Sequence, residues 1–82
     1  MYVFTDERKI VNLDRFSGVS VLGYAGGKDG QRVVGAIYPD NTYIRLCVCD
    51  SEREATLVVQ EICTALDNCK RVFYVGDYIM PF

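Results

Sequence analysis

The sequence predicts an α+β fold: a twisted antiparallel sheet of five to six strands, connected as a meander, with one amphipathic helix packed on one face. Short runs rich in β-branched and aromatic residues alternate with turn residues along most of the chain, which indicates strands. Residues 51–67 instead show helical periodicity. A length of 82 residues leaves room for one hydrophobic core, so residues 1–82 are expected to form a single small domain.

The predicted strands are short and closely spaced, covering residues 2–5, 10–13, 19–24, 32–38, 42–49 and 71–75. The charged residues 6–9 are the expected tip of the first hairpin. Residues 14–18 are an expected loop, with Phe16 tucked beneath the sheet. The glycine-rich residues 25–31 and the segment Pro39-Asp40-Asn41 have the composition of turns.

The longest predicted strand, residues 42–49, carries a pattern that predicts an interface. Its even positions are aliphatic and are expected to face the helix: Ile44, Leu46 and Val48. Its odd positions are mixed, with only one charge among them: Tyr43, Arg45, Cys47 and Cys49. A sheet covered on one side alternates apolar and polar residues, so this mixed face predicts a second cover. The candidates are the C-terminal residues 78–82, a second copy of the chain, or a partner protein.

The helix is predicted from its cap and its apolar stripe. Ser51 is a good N-cap residue, and Glu54 three residues later completes a capping box. Asn68 can adopt the left-handed conformation that ends a helix. The apolar residues fall on one continuous face: Ala55, Val58, Val59, Ile62, Cys63 and Leu66.

The composition excludes several classes of function. Nine basic against eleven acidic residues give a net charge of −2, so no basic excess is present to bind duplex nucleic acid. The absence of histidine removes the commonest general base and the commonest zinc nitrogen ligand. No run approaches the about 18 apolar residues of a membrane span, and no signal-peptide pattern is visible. We therefore expect a cytoplasmic protein with reduced thiols and no membrane partner.

No motif in the chain has the spacing of a catalytic or cofactor site. Residues 23–29 are glycine-rich, but the glycine spacing is one residue short of a phosphate-binding loop. Asp29 stands where a magnesium-binding Ser or Thr would be needed, and a strand follows instead of a helix. The carboxylates are scattered over turns and the helix surface. The prediction is a protein that is not an enzyme, with no catalytic residues, no metal site and no cofactor.

The cysteines support an alternative function, a cysteine-based redox sensor or metal-binding protein that uses Cys47, Cys49, Cys63 and Cys69. Structural zinc sites place about two to four residues between paired ligands, a spacing absent here. Cys69 is the best candidate for a reactive thiol because the cations Lys70 and Arg71 would lower its pKa. The helix dipole opposes this effect, because Cys69 follows the helix C-terminus. We expect these thiols to be structural.

A further alternative is a nucleic-acid accessory protein. Single-stranded nucleic acid binds surfaces that combine aromatic rings with cations. Such a surface could be built from Tyr2, Phe4, Arg8, Lys9, Arg15 and Phe16. Three cations make a weak patch, and acidic residues interleave with them, so nucleic acid is predicted to be an unlikely partner.

Two segments carry a family resemblance. They are residues 10–16, Ile-Val-Asn-Leu-Asp-Arg-Phe, and the strand-to-helix junction 46–55, Leu-Cys-Val-Cys-Asp-Ser-Glu-Arg-Glu-Ala, which leads to Ile62. The chain over residues 2–66 resembles a loose group of short, uncharacterised bacterial and mobile-element proteins with several strands and one Ser/Glu-capped amphipathic helix. The resemblance implies the same fold and no known function, and it supplies no catalytic residues.

The tyrosines favour an interaction role. All six lie in or beside predicted strands, and tyrosine is enriched at protein interfaces. The sequence therefore predicts a non-catalytic protein–protein interaction module, which self-associates, as a homodimer, through a tyrosine-rich sheet face or edge. The expected interface residues are Tyr43, Arg45, Cys47, Tyr78, Met80 and Phe82.

Overall fold

The structure, a computed structural model, describes residues 1–24 and 27–79. The α+β class is confirmed: the described residues form six strands, one α-helix and two single-turn 3₁₀ helices. In chain order the elements are β1 (Tyr2–Phe4), β2 (Ile10–Asn12), a 3₁₀ helix (Leu13–Arg15), β3 (Gly18–Gly23), β4 (Arg32–Ile37), β5 (Tyr43–Cys49), α1 (Glu52–Asp67), β6 (Val72–Tyr74) and a second 3₁₀ helix (Val75–Asp77).

The strands form two sheets, so the expected single sheet of five to six strands is not confirmed. The terminal sheet has the order β2-β1-β6, and the central sheet has the order β3-β4-β5. The β1–β2 hairpin and the β3-β4-β5 meander are antiparallel, as predicted, whereas β6 pairs with β1 in parallel. A parallel pair needs a long crossover, and here the chain between the two strands includes the central sheet and α1.

An irregularity in β5 overturns the predicted alternation of that strand. Val34 pairs with Cys47, but the next residue of β4, Gly35, pairs with Arg45, so Leu46 is an extra residue. Such a bulge adds one residue to the strand, so the residues on its two sides no longer follow one continuous alternation. Residues after the bulge face the side of the sheet opposite to the predicted one. The expectation that Val48 faces the helix while Cys47 and Cys49 face away is therefore wrong, since both cysteines lie in the core cluster with the helix residues.

The bulged strand is held by Asp6, at the tip of the first hairpin. The Asp6 backbone N–H donates to the carbonyl oxygen of Leu46 at 3.0 Å. Its carboxylate accepts from Arg45 Nη2 at 2.8 Å and from the Val48 N–H at 2.9 Å. The Asp6 side chain is only 4% exposed, so these charge-assisted bonds connect the two sheets at a largely buried point.

The helix begins as predicted, and its buried stripe is narrower than predicted. The Ser51 hydroxyl accepts from the Glu54 N–H at 3.1 Å, which confirms the N-cap. The buried helix residues are Ala55, Val58, Ile62 and Ala65. Cys63 is exposed and Leu66 is 49% exposed, so their expected place in the core is wrong. The left-handed residue after the helix is Cys69, with φ 55°, rather than Asn68.

Candidate interaction surface

The structure does not gather the predicted interface residues on one surface. Tyr43 is 52% exposed, whereas Cys47 is fully buried under the helix. Arg45 is bound to Asp6. Tyr78 stacks on Phe73, with ring centroids 5.0 Å apart and rings nearly parallel. Two further residues, Met80 and Phe82, lie outside the described part of the chain.

The central sheet covers its own second face to a large extent. Val33 and Val48 form a cross-strand pair on the side away from the helix, and they are 1% and 5% exposed. Gly35 lies beside them without a side chain, and a Cβ there would stand 2.9 Å from Leu22 Cδ1 and 3.1 Å from Tyr43 Cδ2. The side chains of Leu22 and Tyr43 therefore lie over Gly35 on this face.

The described part of the C-terminal segment packs elsewhere. Tyr78 and Ile79 contact the hydrophobic core cluster, and the Tyr78 ring lies on Phe73, an inward-facing residue of the terminal sheet. Gly76 and Asp77 belong to the short 3₁₀ helix that leads there. Residues 78 and 79 thus do not support the expectation that this segment covers the second face of the central sheet.

The terminal sheet has the most apolar exposed face among the described residues. Its strand register places one buried residue at the centre of each strand: Val3, Val11 and Phe73. The flanking residues point to the opposite side, because successive side chains of a strand alternate. These six residues, which we call the terminal-sheet face, are Tyr2, Phe4, Ile10, Asn12, Val72 and Tyr74.

Four of the six residues of the terminal-sheet face are large, apolar and substantially exposed. Ile10 is 69% exposed, Tyr74 53%, Tyr2 48% and Val72 41%. Phe4 is half-buried between its neighbours, with its ring centroid 5.8 Å from that of Tyr74. The sixth residue, Asn12, uses its side-chain oxygen to accept from the Asp14 N–H at 3.1 Å. The face therefore presents a continuous apolar and aromatic surface to solvent.

Charges of both signs surround this face at the ends of its strands. Glu7, Arg8 and Lys9 occupy the turn between β1 and β2, and all three are exposed. At the opposite end, Lys70 and Arg71 precede β6, and the amino terminus bonds Asp14 at 3.2 Å. An apolar centre within a mixed polar rim is the usual anatomy of a protein–protein interface.

Only part of the predicted aromatic and basic surface forms. Tyr2 and Phe4 lie on the terminal-sheet face, and Phe4 lies at the end of β1 that leads to the turn with Arg8 and Lys9. Phe16 is removed from that surface, because its ring packs on Tyr38 with the centroids 4.4 Å apart. The half-buried position of Phe16 agrees with the expectation that it is tucked against the fold.

The cysteines divide into a buried pair and two exposed thiols. Cys47 and Cys49 are buried, with their sulfur atoms 3.8 Å apart. The hydrogen bond between them lowers the pKa of Cys49 and, together with burial, raises the pKa of Cys47. Cys63 and Cys69 are exposed. Among residues 1–24 and 27–79, no three Cys, Asp or Glu side chains come together as metal ligands would.

Sequence reasoning missed the terminal-sheet face, although a signal for it was present. The three short strands read Tyr-Val-Phe, Ile-Val-Asn and Val-Phe-Tyr, so apolar residues occur at nearly every position. A strand that is apolar on both sides needs a cover on both sides. The sequence shows this property of each strand, but it does not show that β6 joins the predicted β1–β2 hairpin.

Comparisons with protein-family models, curated proteins and solved structures found no match for this chain. The resemblance to short bacterial and mobile-element proteins therefore stays a prediction. No helix in the described residues is both long enough and apolar enough to cross a membrane.

Proposed function

We propose that this chain is a small, non-catalytic protein–protein interaction module that acts in the cytoplasm as a homodimer. The observation that carries the proposal is the terminal-sheet face, where four large apolar side chains are 41–69% exposed side by side. Contiguous apolar patches with a polar rim mark interaction sites in soluble proteins. The face would be the surface through which the module binds another protein.

The chemistry of the face suits a protein partner. Ile10 and Val72 offer aliphatic contact area, while Tyr2 and Tyr74 offer large rings that lose little entropy on binding. Hot spots of protein interfaces are enriched in tyrosine, and they lie near the centre of the patch. Phe4 stands at that centre, in the middle strand of the terminal sheet.

The experiment compares two tyrosines of equal exposure. Tyr74 on the terminal-sheet face is 53% exposed, and Tyr43 on the central sheet is 52% exposed. Wild-type protein, Tyr74→Lys and Tyr43→Lys would be immobilised in equal amounts and incubated with extract of the cells that produce the protein. We expect at least one specific protein to be retained by wild type and Tyr43→Lys but lost with Tyr74→Lys. Identical retention by all three baits would contradict the proposal.

A nucleic-acid accessory role is the second candidate, because Tyr2, Phe4 and Tyr74 share one face. Phe4 and Tyr74 lie at the end of this face that leads to the turn with Arg8 and Lys9. Bases could stack on the rings while the cations contact phosphates. Fluorescence anisotropy of a labelled single-stranded oligonucleotide tests this role. Binding that weakens steeply with added salt and is lost in Tyr74→Ala would favour it over the protein partner.

A further inference from the structure

We propose that the outer edge of β3 binds β3 of a second copy in antiparallel orientation, so that two central sheets become one continuous six-stranded sheet. This inference rests on the homodimer in the proposed function, and it assigns self-association to an edge that is separate from the terminal-sheet face. It leaves that face free in both copies for another protein.

β3 is an unprotected edge of the central sheet. It is an outer strand of the order β3-β4-β5, and β4 is its only strand neighbour in the described residues. Its residues, Gly18–Gly23, include no charged residue and no proline. A Cβ on Gly18 or on Gly23 would meet no atom within 4 Å, so the sheet face is uncovered at these two ends of β3. Unpaired backbone groups along such an edge are a template for another strand.

The other edge of the same sheet, in contrast, is blocked. β5 carries a bulge at Leu46, and Asp6 occupies its outer side by bonding the Leu46 carbonyl and the Val48 N–H. Arg45 places a charge on the same strand. Bulges, charges and a covering loop are the devices by which proteins block strand addition. Because the chain has all three at β5 and none within β3, we infer that the β3 edge is left open for pairing.

The β3 sequence is complementary to itself. Val19 and Val21 lie on the helix side of the sheet, where they pack against the core but stay half-buried. A two-fold axis at Ser20, perpendicular to the sheet, pairs Val19 with Val21 of the second copy on that side. Cross-strand pairs of β-branched residues stabilise a sheet. The pairing of the two β3 strands would therefore cover both valines and keep the two helices on the same side of the joined sheet.

This register puts Ser20 directly opposite Ser20 of the second copy. Ser20 is exposed, and its side chain makes only a 3.5 Å contact with the neighbouring Val21 carbonyl. A charge introduced there would face an identical charge across the axis. Like charges directly opposite each other destabilise a strand pair, whereas opposite charges stabilise it.

The test measures absolute molar mass by light scattering for wild type, Ser20→Lys, Ser20→Glu and an equal mixture of the two variants. We expect wild type to reach twice the chain mass of 9.3 kDa, each variant to remain at the single-chain mass, and the mixture to return to the dimer. Tyr43→Lys, which places the same charge on the protected edge, is expected to stay dimeric. Far-ultraviolet circular dichroism checks that every variant folds.

Three results would overturn the inference: a monomeric wild type at all concentrations, variants that stay dimeric, or a mixture of Lys and Glu variants that stays monomeric. The outcome of this test can be distinguished from the outcome of the test of the proposed function. If the edge is correct and the face is wrong, Ser20→Lys loses the dimer and Tyr74→Lys retains every bound protein. If the face is correct and the edge is wrong, Tyr74→Lys loses its partner while Ser20→Lys keeps the mass of wild type.

Discussion

The two sheets of this protein differ in how much of their second, outer side is buried. Both have apolar residues on both sides, and both bury one side in the common core. The central sheet also buries much of its other side, where Val33 and Val48 are nearly inaccessible. The terminal sheet leaves its other side open, with Ile10 69% exposed. The central sheet therefore stabilises the fold through both of its sides. The outer side of the terminal sheet contributes little to the stability of the fold and is available for binding.

The largest expected effect is the difference in reactivity between the buried and the exposed cysteines. Cys47 and Cys49 lie under α1, whereas Cys63 and Cys69 are exposed. If the buried pair reacts only after unfolding, a stability of about 5 kcal/mol protects it by more than about a thousandfold. Titration with a chromogenic disulfide should therefore show two fast thiols and two slow ones. The double variant Cys63→Ser, Cys69→Ser should lose the whole fast phase.

Four fast thiols, or bound zinc in the purified protein, would instead support the redox or metal-binding alternative. The lowered pKa of Cys49 favours its thiolate, but a reagent must still reach a sulfur atom in the core. We expect burial to affect the reaction rate of Cys49 more than its lowered pKa does, because Cys49 is only 1% exposed.

The next largest effect concerns the contact between the helix and the core. Ile62 is 2% exposed, so Ile62→Ala should lower the free energy of unfolding by about 2–5 kcal/mol through a cavity. Leu66→Ala is the matched control, because Leu66 lies on the same helix but is 49% exposed; we expect a change of about 0.5 kcal/mol. Urea denaturation measures both. Equal losses for the two variants would show that the helix packs on a different face.

A smaller effect is expected at the junction between the two sheets. Asp6→Asn removes the charge from the bonds to Arg45 and to the Val48 N–H. Hydrogen bonds to charged groups contribute about 1.5–3 kcal/mol, and the 32% exposure of the Arg45 side chain places the expected loss in the lower half of that range. Glu7→Gln, a change of the exposed neighbour, should leave the urea midpoint unaltered. A midpoint for Asp6→Asn equal to wild type would mean that the junction does not stabilise the fold.

The smallest expected effect on stability is at the terminal-sheet face. Tyr74→Lys and Tyr43→Lys should each change the free energy of unfolding by about 0.5 kcal/mol, since both side chains are about half exposed. Thermal denaturation compares them. A loss several times larger for Tyr74→Lys would show that Tyr74 stabilises the fold, and the open face would then lose its interpretation as a binding surface.

Much of the fold was predictable because it depends on local signals. The Ser51 cap, the helical periodicity of α1 and the turn between β4 and β5 act over a few residues, and the structure confirms them. The predicted turn over residues 25–31 includes residues 25 and 26, which lie outside the described part of the chain. The division into two sheets was not predictable in this way. It depends on the pairing of β1 with β6, which lie at opposite ends of the chain.

The candidate surface was harder to predict than the fold, for two physical reasons. The bulge at Leu46 reverses the alternation of β5, so Cys47 moved from the predicted interface into the core. The terminal-sheet face combines residues of the predicted β1–β2 hairpin with residues of β6, which is distant from them in sequence. Tyrosine content indicated an interface in general, but only the register shows that Tyr2 lies beside Val72 and that Phe4 lies beside Tyr74.

The measurement that tests this account most directly is the molar mass of wild type, Ser20→Lys and Tyr74→Lys, determined side by side over a wide concentration range. We assign self-association to the β3 edge and partner binding to the terminal-sheet face. This assignment predicts a dimer for wild type and for Tyr74→Lys, and a monomer for Ser20→Lys. A monomeric Tyr74→Lys together with a dimeric Ser20→Lys would contradict it, because the open face would then be the surface that binds the second copy.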